Sequence, residues 1–277
     1  MLKARVLTAV PLAALLLTLV WWLPTLWLAA LFAVVSLVAA WEWAGLSGLR
    51  GRPAKTLYIA VVGAALVGLW VSGAASGEGA RAWAIPGVLW WLGILLVLLA
   101  WSRTPARPPL PASVRLSAGI VTLALAWLGL VVLHGRGDEG PFWLTACFLL
   151  VWGADSGGYF AGRKFGRRRL APALSPGKTW EGALGGLALA LVLVLGFAWA
   201  GSFWLDNLPG IAWLVPVAAI VVAASIIGDL AESLLKRWAG VKDSGHILPG
   251  HGGVLDRIDA LLAGAPILAA ALAGVSA

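Results

Sequence analysis

The feature that most restricts the fold of this chain is a series of long apolar runs that contain no Asp, Glu, Lys or Arg. The runs lie at residues 6–41, 56–77, 82–102, 116–135, 140–154, 182–205, 207–228 and 260–277. A helix needs about 20 predominantly apolar residues to cross a bilayer. Because 61% of the 277 residues are hydrophobic and only 12% are charged, the chain has more apolar surface than a soluble domain of its size buries. The pattern predicts an all-α polytopic membrane protein.

The run at 6–41 is nearly twice as long as one span needs. Pro24 lies near its middle, and three Trp residues flank this proline, as expected of aromatic rings at a membrane surface. We interpret the run as two helices, which gives about nine transmembrane helices in all. A signal peptide is the alternative for residues 1–23. No small-x-small cleavage motif follows them, so a helix is favoured.

Two of these helices are expected to extend beyond their uncharged runs. The run at 140–154 is too short to cross a bilayer, so its helix should continue past Asp155. The last helix should begin near Val254. That start would place Asp256 and Asp259 inside the protein rather than in a solvated loop.

The basic residues fall almost entirely on one side of these nine spans. With the N-terminus in the cytoplasm, 18 of the 20 Lys and Arg residues lie in cytoplasmic segments, and only Arg81 and Arg136 lie outside. The positive-inside rule therefore places the N-terminus in the cytoplasm and the C-terminus on the outer side of the cell (inner) membrane. Topology and contact with anionic lipid account for the net charge of +8, so no nucleic-acid partner is expected.

Acidic residues are concentrated in the second half of the chain. Residues 1–150 contain four of them and residues 151–277 contain eight. We therefore divide the chain into residues 1–135, five spans that form a lipid-facing scaffold, and residues 136–277, four spans with cytoplasmic polar loops. Because carboxylates near hydrocarbon are costly and are usually functional, chemistry is expected in the second part.

The first polar block is GADSGGYFAGRKFG, residues 153–166. Asp155 lies at the end of an apolar helix, and Arg163 follows about two turns later. The purely structural interpretation is a helix end whose basic residues anchor it at the membrane surface. A carboxylate at membrane depth favours a functional one.

The second polar block is SPGKTWEG, residues 175–182. Its GKT resembles part of a phosphate-binding loop, but that motif requires Gly where this chain has Pro172. What remains is Lys178 on a loop that enters a helix, with Thr179 as the predicted N-cap. A helix N-terminus beside a lysine can bind an anion. For this block taken alone, functional and structural interpretations are equally open.

The third polar block spans residues 228–259. Asp229 and Glu232 are three residues apart, so one helical turn places both carboxylates on the same face. Asp256 and Asp259 repeat this spacing on the next helix. Two acidic pairs on neighbouring helices resemble a site for a divalent cation, and oxygen ligands suit Mg²⁺ or Mn²⁺. The Gly-rich residues 250–253 offer amide donors to a phosphate.

The third block also resembles the signature of the phosphatidate cytidylyltransferase, or CDP-diacylglycerol synthase, family. The matching positions are Ser233, Lys236, Arg237, Lys242, Asp243, Pro249, His251, Gly252, Gly253, Asp256, Arg257 and Asp259. The other two blocks resemble the family's D-[ST]-G-x-Y-F-x-G-R-x-F-G and S-P-x-K-T-W-E-G segments. Gly177 departs from the family, which more often has Lys there. By motif the resemblance covers about residues 155–259.

The resemblance implies that CTP and phosphatidic acid react to give CDP-diacylglycerol and pyrophosphate. It implies Mg²⁺ as cofactor, with a second cation left open, and a homodimer in contact with membrane lipid. The residues it implies as catalytic are Asp256, Asp229 and Lys178. Those it implies as substrate-binding are Ser175, Arg163, Ser233, Lys236, Arg237, Lys242, Asp243, His251, Gly252, Gly253 and Arg257. The implied metal ligands are Asp229, Asp256, Asp259, Glu232 and Asp155.

Two other functions are compatible with acidic helices in a membrane protein. A CTP-dependent polyprenol kinase-like enzyme would share the acidic helices and basic loops, but it does not need the full third-block string. A transporter would be expected to show internal symmetry between its halves. Here the polar residues cluster in one half, which disfavours transport.

Overall fold

The computed structural model describes residues 2–104, 107–245 and 252–274. The helices are α1 (Leu2–Trp22), α2 (Thr25–Leu46), α3 (Arg52–Val71), α4 (Gly77–Arg103), α5 (Ala112–His134), α6 (Gly140–Phe165), α7 (Trp180–Gly201), α8 (Ile211–Ala239) and α9 (Leu255–Ala273). A short 3-10 turn, Gly137–Glu139, joins α5 to α6. The two strands are β1 (Arg169–Ala171) and β2 (Ser175–Thr179).

The predicted helix boundaries are confirmed at the three places where sequence reasoning was most specific. The first apolar run is broken at Pro24, between α1 and α2. Helix α6 continues past Asp155 to Phe165. Helix α9 begins at Leu255, so Asp256 and Asp259 lie in its first turns.

Six of the helices in the described residues are long and apolar enough to cross a membrane. They are α2, α3, α4, α5, α7 and α8. The apolar part of α1, Val10–Trp22, is shorter. Helices α6 and α9 have charged residues at one end. The protein is a multi-pass, almost entirely helical membrane protein, and the count of nine spans stays a prediction.

The expectation of an all-helical fold with a plain loop at Ser175 needs one correction. Strand β2 pairs antiparallel with β1, with Arg169 opposite Thr179 and Ala171 opposite Ser175. The hairpin is stabilised by apolar contacts, because Ala171 and Leu174 pack against Leu98 of α4 and Leu234 of α8. It therefore covers one end of α4 and α8, and it places the residues before α7 beside α8.

Helix α7 begins where the sequence predicted. The side chain of Thr179 accepts a hydrogen bond from the backbone N–H of Gly182, 3.1 Å away, and so caps the helix. Helices α6 and α7 then cross at very short range. A Cβ atom on Gly157 would lie 2.9 Å from the Cβ of Leu189, so only glycine fits at this crossing.

Helix α9 lies in the interior of the bundle. It packs against α8, α5 and α4, and most of its residues from Ala260 onward are buried. The start of α9 therefore has a fixed place relative to the helices around it, and the polar residues of the third block lie at that start.

Candidate functional site

The first group of polar side chains lies around a cavity of about 190 Å³ between α6, α7, α8 and β2. Asp155 of α6, Lys178 of β2 and Asp229 of α8 line this cavity. The Lys178 ammonium nitrogen is 2.5 Å from Oδ2 of Asp229. About a quarter of each of these two side chains is exposed, 25% and 26% respectively, so a ligand in the cavity can reach both.

Asp259 joins this group from α9. Gly228 brings α8 and α9 so close together that an added Cβ would overlap the backbone oxygen of Asp259. The crossing places Asp259 close enough to Asp229 and Asp155 for the three carboxylates to repel one another. Of the predicted metal ligands, Asp155 and Asp229 line this cavity, and Asp259 lies within electrostatic range of both but does not line it.

The second group is built around Lys236. Its ammonium group lies 2.7 Å from Oδ1 of Asp256 and also contacts the carboxylate of Glu232 as an ion pair. The Glu232 side chain is completely buried. Within the described chain no other hydrogen-bond donor reaches its two oxygens. Lys236 is therefore the one cation that the described residues place against the buried Glu232 carboxyl group.

Asp256 is held by more donors than any other carboxylate described. Besides Lys236, its Oδ2 accepts hydrogen bonds from the backbone N–H and the hydroxyl of Ser244 and from the N–H of Gly253, each 2.9 Å away. Gly252, the residue before Gly253, adopts a left-handed backbone conformation with φ of 81°. Asp256 was predicted as a leading metal ligand. To bind a cation in this arrangement it would have to release one of these partners.

A wider basic cavity of about 520 Å³ adjoins Lys236. Ser175 of β2 and Ser233, Lys236, Arg237 and Lys242 from the end of α8 and the loop after it line this space. The sequence predicted all five as substrate contacts, and the structure brings them to one cavity. Hydroxyl and cationic groups in this density suit a phosphate-bearing ligand.

The remaining predicted substrate residues are more dispersed. Arg163 is exposed and donates a hydrogen bond to the hydroxyl of Tyr159, which lines the smaller cavity. Asp243 is exposed on the loop after α8. Arg257 is exposed on the first turn of α9 and interacts electrostatically with Asp155. His251 lies outside the described residues.

Sequence reasoning missed Glu42 of α2. This buried carboxylate accepts hydrogen bonds from the N–H groups of Val254 and Leu255, at 3.0 and 2.8 Å, and its Oε2 lies 3.0 Å from the Ser244 hydroxyl oxygen. A signal was present, because Glu42 is the only acidic residue in the first 77 positions. In the sequence it directly follows the apolar run at 6–41.

The donor chemistry of the site fits a divalent cation, although no three Asp, Glu, His or Cys side chains in the described ranges already lie close enough to hold one. The two groups contain five carboxylates, of which three are paired with Lys178 or Lys236, and the side chains of Arg237, Lys242 and Arg257 lie nearby. Asp155, Asp229 and Asp259 would be the oxygen ligands for such an ion.

Comparison with known proteins identifies the family of this chain. The model of the Cytidylyltransferase family matches residues 3–275. The chain belongs to the cytidylyltransferase family. A phosphatidate cytidylyltransferase of Haemophilus influenzae is 37% identical over 279 residues, which cover 96% of each chain. One of Pseudomonas aeruginosa is 38% identical over 282 residues, 98% of this chain and 97% of the relative.

Membership of the cytidylyltransferase family confirms the resemblance that the three polar blocks indicated. It also extends it, because the motifs covered only about residues 155–259 and these relatives match almost the whole chain. A phosphatidate cytidylyltransferase of Brucella suis is 47% identical over 165 residues, 57% of this chain and 55% of that protein. The N-terminal helices, including α2 with Glu42, also lie within the residues that the family model matches.

Proposed function

We propose that this protein transfers the cytidylyl group of CTP to phosphatidic acid, giving CDP-diacylglycerol and pyrophosphate. The observation that carries the proposal is the pair of carboxylate–lysine groups around Lys178 and Lys236, next to a basic cavity in a membrane protein of this family. The names of the near full-length relatives support the choice of phosphatidate as acceptor.

In this reaction an oxygen of the phosphatidate phosphate attacks the α-phosphorus of CTP. A new P–O bond forms, the bond from the α-phosphorus to the bridging oxygen breaks, and pyrophosphate leaves with the electron pair. The acceptor is already ionised at neutral pH, because the second pKa of a phosphate monoester is about 6. No strong general base is needed. The main barrier is repulsion between two polyanions, so catalysis depends on neutralising charge and aligning the reactants.

The residues of the site are suited to these tasks. Lys236, Arg237 and Lys242 in the wider cavity would neutralise phosphate oxygens, with Ser175 and Ser233 as hydroxyl donors. Lys178 would contact a phosphate from the smaller cavity. When bound, Mg²⁺ would polarise phosphoryl oxygens and offset their charge. Asp155, Asp229 and Asp259 would hold it, while Glu232 and Asp256 hold Lys236 in place.

The membrane setting follows from the same chemistry. CTP arrives from water and phosphatidic acid from lipid, so we place the site at the cytoplasmic surface of the cell (inner) membrane. The excess of basic residues in the segments assigned to that side supports this orientation. Residues 136–277 supply most of the site and residues 1–135 the scaffold. A homodimer is also part of the proposal, by resemblance alone.

The test is pyrophosphate release by purified protein in detergent, with and without Mg²⁺. We expect release with phosphatidic acid but not with a polyprenol. Asp229→Asn should lower turnover about 100-fold, since it removes a charged group at the reacting phosphates. The matched control is Asp206→Asn, because Asp206 is exposed in the loop between α7 and α8. Full turnover in Asp229→Asn would contradict the role given to this site.

A further inference from the structure

We propose that Glu42 is a positioning residue for cytidylyl transfer. It fixes the start of α9 and the Ser244 segment, so that Asp256 can hold Lys236 at the edge of the basic cavity. This inference rests on the proposed function, because it assigns Glu42 a part in the same site. Glu42 lines neither of the two cavities. It therefore acts through other residues and does not itself contact substrate.

The first step of the argument concerns the N-terminus of α9. The first N–H groups of a helix have no partners within the helix and carry partial positive charge. Here Val254 and Leu255 donate theirs to the two carboxylate oxygens of Glu42, at 3.0 and 2.8 Å. The N–H of Asp256 is bound by the Ser244 hydroxyl oxygen at 3.3 Å. A residue of α2, more than 200 positions away, thus caps α9.

The second step links Glu42 to Lys236. The Ser244 hydroxyl oxygen lies 3.0 Å from Oε2 of Glu42 and 2.9 Å from Oδ2 of Asp256, so its single proton is shared between the two carboxylates. Asp256 in turn holds the Lys236 ammonium group at 2.7 Å. The chain of contacts therefore runs from α2 through Ser244 and Asp256 to a lysine of the basic cavity.

The third step is the fit of the backbone around the Glu42 carboxylate. A Cβ atom on Gly253 would lie 2.5 and 2.6 Å from its two oxygens, and one on Gly245 would lie 2.8 Å from its Cδ. No salt bridge to Glu42 is formed in the part of the chain that the structure describes. Backbone amides and one hydroxyl balance its charge. This closely fitted, buried arrangement is typical of a group that sets the geometry of a neighbouring site.

The first experiment compares Glu42→Gln with Glu139→Gln in the cytidylyl transfer assay. Gln keeps the size of Glu but points an NH₂ group at one of the two helix amides. We expect kcat per folded molecule to fall about 10- to 100-fold, with the KM for CTP changed less than about threefold. Glu139 is the matched control, since it directly precedes α6, at the end of that helix away from Asp155, and accepts a hydrogen bond from the Trp143 indole N–H. An unchanged kcat in Glu42→Gln would overturn the inference.

A double-variant cycle tests whether the effect passes through Ser244. If Glu42 acts through this hydroxyl, Glu42→Gln should lower kcat much less in a Ser244→Ala background than in the natural chain. Equal losses in both backgrounds would contradict the chain of contacts. A purely structural role would alter the folded fraction of each variant but would not produce this non-additive pattern in kcat.

Amide hydrogen exchange keeps the inference testable without any activity. In Glu42→Gln the amides of Val254 and Leu255 should exchange about tenfold faster or more, because each loses a charge-assisted hydrogen bond. Unchanged exchange would show that Glu42 does not hold α9. If the natural protein lacks transferase activity but exchange accelerates, the proposed function fails and the positioning contact stands. If the natural protein is active and exchange is unchanged, the positioning contact fails alone.

Discussion

The Lys236 cluster allows one prediction to be worked out in energy as well as in direction. Lys236→Met removes the ammonium group while keeping most of the side-chain volume. Two carboxylates then lose their cation, and their side chains are only 0% and 8% exposed in Glu232 and Asp256. Breaking a buried ion pair from one side costs about 3–5 kcal/mol where the remaining group stays charged, and less where it takes up a proton. Asp256 keeps three other donors, so Glu232 bears most of this penalty.

The penalty should be visible as a change in thermal stability. For a chain of this size, 3–5 kcal/mol corresponds to a fall in Tm of about 10 °C. The assay is thermal unfolding in detergent followed by tryptophan fluorescence. Lys164→Met is the control, because Lys164 is exposed at the end of α6. It should change Tm little.

A second variant separates stability from catalysis. Glu232→Met combined with Lys236→Met replaces the pair by apolar side chains of similar size, so Tm should return to within a few degrees of the natural protein. Turnover should stay low, because a cation of the basic cavity is missing. If Lys236→Met unfolds at the natural temperature, or if the double variant is no more stable than the single one, the reasoning about the buried pair is wrong.

Two further predictions concern packing and capping. Gly157→Ala should lower stability by about 1–3 kcal/mol, because its Cβ would meet Leu189 and the facing backbone of α7. The control Gly196→Ala should be tolerated, since nothing lies within 4 Å of the added Cβ atom. Equal unfolding temperatures for the two variants would contradict the close packing of α6 against α7 at Gly157. Thr179→Ala should cost about 1 kcal/mol by removing the cap of α7. The control is Thr56→Ala, which should cost much less, because the Thr56 hydroxyl only donates to a carbonyl oxygen of its own helix. Chemical denaturation measures both losses, and equal losses would show that the Thr179 cap does not stabilise the protein.

The features that sequence predicted correctly are those set by neighbouring residues. Pro24 ends one helix and starts another because its ring cannot continue the hydrogen-bond ladder. Thr179 caps α7 because its side chain reaches an amide three residues ahead. Helix α9 begins at Leu255, one residue from the predicted start near Val254.

The features that were missed depend on contacts between distant segments. The spacing of Asp229 and Glu232 placed both on one face of α8, but it did not reveal that Lys178 pairs with the first and Lys236 with the second. The hairpin at Ser175 was missed because its strand contains Pro and Gly and is stabilised by packing on other helices. Glu42 was missed because its partners follow it by more than 200 residues.

The measurement that tests the central claim most directly uses CTP carrying a radioactive label at either the α- or the γ-phosphate, with phosphatidic acid as acceptor. Cytidylyl transfer moves the α-phosphorus into lipid and releases the γ-phosphorus in pyrophosphate. We therefore predict Mg²⁺-dependent label in the lipid extract only from α-labelled CTP, and its loss in Asp229→Asn. Label entering lipid from the γ-phosphate would instead show a CTP-dependent kinase and would contradict the assignment.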